Sequence, residues 1–534
     1  MEGRRGAAPW GLRRRGRFVS ASVDIVWLRD DFRLDDQASI HAAAGRPALF
    51  TYVHEQAGDG ARPLGGAAKW RLARSLAAFD AALAERGARL DVMTGDAGES
   101  ILALAAAANA GRVLWSRRYE GGATKLDARV KARLRERGVE ALSFNGRLMR
   151  EPWELAKPGG APIGVFTAFW RRHRALPPLP APALAPTRLI AAPWPSGAPA
   201  RVSIGSLRLR PTSPDWSGEL GLGETPGEAG ALAALKAFAK GALRRYPDER
   251  DRLAPGAASL LSAHLRFGEI SPRRVAHAVE TAAAADPTLA RAADKFLAEL
   301  GWRDFAAAQL HAHADLAARP LKPEFERFPW RDDEPGFRAW ARGETGYPVV
   351  DAGMRQLWRT GYLPNRARMI AASFLVKHLL IDWRRGEQWF WDTLIDADPA
   401  SNPLNWQWVA GSGVDPAPFF RIFNPVLQAQ RFDPDGAYVR RWVPELARLE
   451  GPGVHEPWRA LREALARAGI ALGKTYPRPI VDHAYARARA LAAFAGMRDR
   501  WPHSVAADSA ASSLRNSRKA LMRGAAASSG RQRK

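Results

Sequence analysis

The 534-residue sequence contains no cysteine. That excludes a disulfide framework, a cysteine zinc site, a thiol nucleophile and a cysteine-ligated iron–sulfur cluster, and it fits a reducing compartment. No apolar run reaches 18 residues, so no membrane-spanning helix is expected. The first 20 residues lack the apolar core of a secretory signal. No HxxxH, no GxSxG and no His/Asp/Glu cluster at metal-ligand spacing occurs, so no metal site is expected and acyl transfer has no support. Acidic residues are scarce: 55 Asp and Glu stand against 80 Lys and Arg, a net charge of +25. Both ends are basic, with six arginines against Glu2 in residues 1–20 and seven Lys/Arg against Asp508 in 502–534. A basic body points to a polyanion, nucleic acid first. A genome that writes Arg and Ala freely explains part of the same excess.

The length suggests two or three domains. Residues 1–21 read as a basic disordered arm and 502–534 as a basic disordered tail. Residues 22–150 alternate strand and helix patterns. Strands are expected at 23–28, 48–53, 89–94, 112–117 and 139–144, and helices at 66–86, 98–110 and 123–137. This βαβ rhythm predicts a Rossmann-like parallel sheet covered on both faces. The first strand is followed by RDDFRLDD (29–36) rather than GxGxxG, so the dinucleotide fingerprint is absent. Residues 151–226 are rich in Pro and Gly and read as a long linker over the surface. Residues 227–501 have helical periodicity, with an apolar stripe expected through Leu232, Leu235, Phe238 and Leu243.

Against this background one stretch departs from a helical core: LIDADPASNPLNWQWVAGSGVDPAPFFRIFNP (394–425). Gly and Pro inside a helix cost roughly 1 and 3 kcal/mol, so this reads as a loop-rich wall around something bound. Tryptophan is the sharpest anomaly: of 20, nine lie between Trp302 and Trp408. Each singly reads as core. Together they suggest stacking on a flat ligand, or passage of an oxidising hole between neighbouring indoles. Gly256, Ser259 and Ser262 lie in a turn entering a helix, where N–H groups and hydroxyls can hold phosphate, although taken alone ordinary helix capping explains them better. Asp396, Asp398 and Asn402 can meet a ring system or an arginine, or simply start a helix.

WLRDDFRLDD, LSAHLRFGEISPR, FLAELGWRDF, TGYPVVDAGMRQL, NRARMIAASFLVKHLLIDWR and the 394–425 stretch follow one another in order. On these motifs the chain resembles the DNA photolyase/cryptochrome family over about 22–500, and within it class I cyclobutane pyrimidine dimer photolyases. The resemblance implies an α/β antenna domain, an all-α FAD-binding domain and light-driven repair of UV-damaged DNA by electron transfer from excited FADH⁻. It implies a monomer in the bacterial cytoplasm. Tyr246 and the turn of Ala258, Ser259, Leu260, Leu261 and Ser262 would contact FAD, with Ala258 where members often carry Thr. Asp396, Ala397 and Asp398 would lie by the flavin and ribose, Arg368 would pair with Asp396, and Asn402 would face flavin N5. Trp406, Trp383 and Trp330 match the family's chain of indoles that restores FADH⁻.

Glu299, Trp302, Asn365, Met369 and Trp408 match the lesion pocket. Trp302 and Trp408 would sandwich the dimer and Glu299 would hydrogen-bond a thymine. Asn365 stands where (6-4) photolyases carry a histidine acid. Arg250, Arg303, Arg366, Arg421 and Gln428 match positions that hold DNA, where phosphate contacts position without reading sequence. Photolyases are among the enzymes known to take their target out of the stack, so extrusion comes with the resemblance. The rivals are a cryptochrome-type blue-light photoreceptor with little repair and a nonenzymatic damage-binding protein. In YEGGATK (119–125), Gly122 and Ala123 replace the Asn-Glu of folate-binding members. That speaks against a folate antenna and leaves a deazaflavin, a second flavin or an empty site as the choices for a second chromophore.

Overall fold

A computed structural model describes residues 22–55, 62–254, 256–414 and 420–499. The basic arm (1–21), Trp501 and the basic tail (502–534) expected from sequence lie outside the described residues.

The five expected strands all form: β1 Asp24–Leu28, β2 Pro47–Glu55, β3 Leu90–Gly95, β4 Arg112–Ser116 and β5 Glu140–Phe144. They pair in the order β3-β2-β1-β4-β5, all parallel, with Val26 level with Phe50 on one side and Leu114 on the other. Every residue of β1 is buried, because parallel sheets carry helices on both faces and their central strands see no water. Helices Gly66–Ala84, Ala97–Ala107 and Gly121–Glu136 cover it, within three residues of the expected bounds. A further helix, Ala38–Ala43, is too short to leave a period in the sequence.

The region expected as a linker is more structured than its composition suggests. It holds helices Pro152–Leu155 and Phe166–Ala175 and a short strand β6, Ile190–Ala191, that joins the sheet beside β2. The longer helix buries Phe166, Phe169 and His173 on one face, a spacing that the surrounding Pro and Gly obscured.

The rest is helical. Ala290–Ala312 is the longest helix; Pro348–Thr360, Asn365–Ser373, Trp383–Thr393 and Ser401–Ala410 pack around one aromatic-rich core. The stripe expected at 231–246 needs one correction. Leu235, Phe238 and Leu243 are buried, but Leu232 is 37 % exposed and Ala231 takes the inward position. Ala231, Leu235 and Phe238 follow the i, i+4, i+7 spacing of a helix face. A π-turn at Phe238–Ala242 then leads into Leu243–Glu249.

The RDDFRLDD segment joins the two halves. Asp30 pairs with Arg266 at 2.8 Å, Asp36 with Arg273 at 2.7 Å and Asp35 with Arg274 at 2.5 Å. Arg33 donates to Gly268 O at 3.0 Å. Two of the quoted motifs are therefore complementary surfaces of one junction.

Candidate functional site

A cavity of about 920 Å³ opens in the helical half, at the upper end of the roughly 300–1,000 Å³ of small-molecule sites. The Ala258–Ser262 turn forms one wall. Leu260 sits there in the left-handed region (φ 56) and is 43 % exposed. A branched residue in that conformation costs roughly 1–3 kcal/mol, and an apolar side chain open to a cavity gains if a ligand covers it. Ser259 Oγ accepts Leu261 N–H at 3.4 Å, and Ser262 begins a helix of only five residues. Tyr246 lines the cavity, held edge-on by Phe238 and Phe296.

The two expected aspartates divide their work. Asp398 accepts the N–H groups of Ala400 and Ser401 at 3.0 and 2.8 Å, which starts the Ser401–Ala410 helix. Burial raises its pKa, but Arg303, Arg147 and Arg266 outweigh this and hold it below the usual carboxylate range. Asp396 is the ligand-like one. Its Oδ2 takes Arg368 Nη2 at 2.7 Å, while Oδ1 is buried and has no partner among the described residues. Arg368 is fixed from behind by Leu363 O at 2.7 Å. Burial disfavours its charge, yet the Asp396 pair keeps its pKa above normal. An unpaired buried carboxylate oxygen costs roughly 1–3 kcal/mol or more. A ring N–H or a sugar hydroxyl bound there would remove that cost, so the residues present fit FAD.

Asn402 Nδ2 donates to Glu387 O at 3.0 Å and Glu387 Oε1 at 2.8 Å. This commits the amide's donor end and leaves its carbonyl oxygen to accept from a ligand. Glu387 is in turn gripped by both terminal nitrogens of Arg62, at 2.6 and 2.8 Å, and Arg62 lies 4.2 Å over Trp391. Sequence reading missed Glu387 and Arg62. Arg62 is 325 positions away from Glu387, and no local pattern joins them.

Trp406 is buried and meets Phe390 at 5.0 Å and Trp340 at 6.2 Å, both edge-on. Trp383 lies fully buried in the same core, and Trp330 packs against it with its ring 4.3 Å from Phe328. A second aromatic row, unforeseen, runs from Trp340 through Phe337 to Trp389, then to Trp358 and Trp216, with ring centroids 5.8–6.1 Å apart. Trp358 is 51 % exposed. The sequence signal for this row was the tryptophan count itself, which the five assigned indoles did not exhaust.

Glu299, Trp302, Asn365, Met369 and Trp408 all line the same cavity. Glu299 is paired with Arg250; burial disfavours the Arg250 charge, but Glu299, Tyr246 and Asp251 together hold its pKa above normal. Asn365 Nδ2 lies 3.8 Å from Met369 Sδ. Arg366 pairs with Asp251 at 2.5 Å and covers the Phe432 ring. Arg303 also lines the cavity. Its two terminal nitrogens donate to Arg147 O and Leu265 O, so it ties the junction together and a phosphate would have to displace both bonds. Arg421 is exposed and Gln428 half-buried, and neither lines the cavity. Among the described residues there is no cluster able to hold a metal and no helix long and apolar enough to cross a membrane.

Comparison with known proteins finds two family models along the chain. Residues 24–185 match the family described as DNA photolyase, and residues 296–496 match the FAD binding domain of DNA photolyase. A deoxyribodipyrimidine photo-lyase of Agrobacterium fabrum is 48 % identical over 476 residues, covering 89 % of this chain and 98 % of that protein. Cryptochrome-1 of Arabidopsis thaliana is 37 % identical, covering 88 % of this chain and 70 % of that protein. A crystal structure of a bacterial class III photolyase from Agrobacterium tumefaciens superposes with a TM-score of 0.85 at 47 % identity, covering 91 % of this chain and all of that one. This corrects the expected subgroup: the likeness is to class III, not class I.

Proposed function

The chain belongs to the DNA photolyase/cryptochrome family, and we propose that it is a light-driven lyase that splits cyclobutane pyrimidine dimers in UV-damaged DNA. The observation that carries this reading is a single cavity with two kinds of wall. Asp396 and Asn402 offer acceptors to a flat cofactor, and Glu299, Trp302, Asn365 and Trp408 offer a stacking slot with polar edges.

FAD, when bound and reduced, supplies the photoexcited electron that opens the cyclobutane ring and takes it back afterwards. The chain's own residues orient and insulate. Arg368 holds Asp396 so that its open oxygen faces a donor. Glu387 holds Asn402 with its carbonyl outward. Glu299 offers a carboxylate to a thymine N–H, kept in place by Arg250. Asn365 offers an amide, which cannot donate a proton as an imidazolium can, so (6-4) repair lacks its acid. The indoles from Trp406 outward carry an oxidising hole to the surface. The basic surface supplies sequence-independent affinity that weakens with salt. The protein acts as a monomer in the bacterial cytoplasm, and Gly122 and Ala123 speak against folate at the sheet domain, leaving a deazaflavin, a second flavin or an empty site there.

A cryptochrome-type photoreceptor is the second reading, since Cryptochrome-1 of Arabidopsis thaliana is also similar. Purified protein is mixed with UV-treated DNA under blue light, and remaining dimers are counted. Loss of dimers in light and none in the dark is expected. Flavin-loaded protein that leaves dimers untouched overturns repair in favour of signalling.

A further inference from the structure

The helix hidden in the expected linker, Phe166–Ala175, carries a column of rings behind Trp302. The Phe166 and Trp302 rings lie 3.7 Å apart and 8° from parallel. Trp170 continues the column 6.3 Å from Phe166, again 8° from parallel, and His173 stacks on Trp170 at 4.8 Å. Residues 166, 170 and 173 are spaced i, i+4, i+7 and share one helix face. Two features of the Ala290–Ala312 helix admit and fix this column. A Cβ on Gly301 would stand 2.5 Å from Trp170 Cε3, so glycine leaves the needed room. Buried Asp304 accepts the N–H groups of Met149 and Arg150 at 3.3 and 3.0 Å, which ties the start of the linker to the residue two places after Trp302.

A centroid separation this short means that Phe166 covers one face of the indole almost entirely; most aromatic pairs sit 4.5–7 Å apart. Only the opposite face of Trp302 is left for a ligand. Backing of this kind also removes a cost of binding, since an indole already held in its bound plane loses no freedom when a base stacks on it.

We propose that Phe166 is a positioning residue for the lesion: it closes the inner face of Trp302 and fixes the plane against which the dimer stacks. The specificity wall is then built by both halves of the chain, with the lesion touching only the outer ring. This rests on the reading of Trp302 as a lesion contact, and the test separates the two.

Affinities for a duplex with one thymine dimer and for the undamaged duplex are measured by fluorescence anisotropy on FAD-loaded protein. Phe166→Leu is expected to weaken dimer binding roughly three- to tenfold, the worth of an aromatic pair, with undamaged binding and FAD content unchanged. Phe166→Tyr, which keeps the ring, restores wild-type affinity. Trp302→Ala weakens dimer binding further, and adding Phe166→Leu to it has no additional effect. Phe166→Met replaces Phe166→Leu if the latter does not fold. Wild-type dimer affinity in Phe166→Leu beside weakened binding in Trp302→Ala overturns the positioning role alone. Unchanged binding in Trp302→Ala overturns the lesion contact itself. Equal loss on both duplexes, or loss of FAD, in Phe166→Leu assigns Phe166 to the fold and overturns the proposal.

Discussion

The sheet domain keeps its left-handed residues, Asp30, Asp36 and Asn109, outside its strands, whereas the helical domain places one, Leu260, on a cavity wall. In the sheet domain the five strands lie in parallel register, and β1 is buried along its whole length. Trp27 and Trp115 contact each other at 5.9 Å and are closed into its core. The helical domain carries both π-turns found among the described residues, at Phe238–Ala242 and Phe374–Leu379. It also carries the left-handed Leu260 and the open Asp396 oxygen on its cavity wall. Departures from local rules cost stability and persist where something else uses them. Tryptophan differs in placement too: Trp27 and Trp115 are closed into the sheet core, whereas Trp302, Trp406 and Trp408 line the cavity of the helical half.

The strongest challenge to that contrast is to cut both indole rows. Trp330→Phe alone is expected to leave part of the light-driven reduction of bound flavin, because Trp340 offers a second exit from Trp406. Trp330→Phe with Trp340→Phe is expected to abolish it, while chemically reduced enzyme still repairs. Unchanged photoreduction in the double variant, followed by absorbance under blue light, would remove the indoles from that role.

Next in size, Leu76→Ala in the sheet core and Asp396→Asn in the cavity should fail in different assays. Leu76 is fully buried, so its truncation costs roughly 2–5 kcal/mol of stability with FAD affinity unchanged. Asp396→Asn should lower FAD affinity about tenfold, as expected for a hydrogen bond to a charged group, with a smaller stability change. Urea unfolding and flavin titration distinguish them, and a reversed pattern would sink the contrast.

Glu299→Ala should reduce repair yield about tenfold or more while dimer binding changes less. Equal loss in gel-shift and repair assays would reduce Glu299 to a binding contact.

The smallest effect concerns pH. Burial pushes the His173 pKa down to about 4 and that of His378 to about 3. The folded chain keeps both neutral where the unfolded chain takes up protons near 6.5. Stability is therefore fully present above about pH 6.5 and falls as pH drops toward 4. The urea midpoint should decrease between pH 7 and pH 5, and less so in His378→Phe. An identical decrease in that variant would place the acid sensitivity elsewhere.

Much of the fold was legible because its signals are local. Strand and helix periods in residues 22–146 placed five strands and three helices within a few residues. The short Ala38–Ala43 helix and the Phe166–Ala175 helix were not legible, the first for lack of length and the second because Pro and Gly dominate around it. At the site, ordered motifs brought Asp396, Asn402, Glu299 and Trp408 to one cavity in advance. The bonds of Arg303 to Arg147 O and Leu265 O were not legible, because a sequence names a cation without saying where its guanidinium points.

Taken alone, the sequence determined the parallel sheet, the helical half, the absence of thiol chemistry and the family. Each follows from composition, from periods of two and 3.6, or from the order of motifs, and these are properties of neighbouring residues. Only the tertiary structure decided which oxygen of Asp396 stays open, that Arg62 reaches across to Glu387 and that Phe166 lies flat on Trp302. Those outcomes depend on partners far apart in the chain. They are fixed by close packing and by the cost of leaving buried polar groups unpaired.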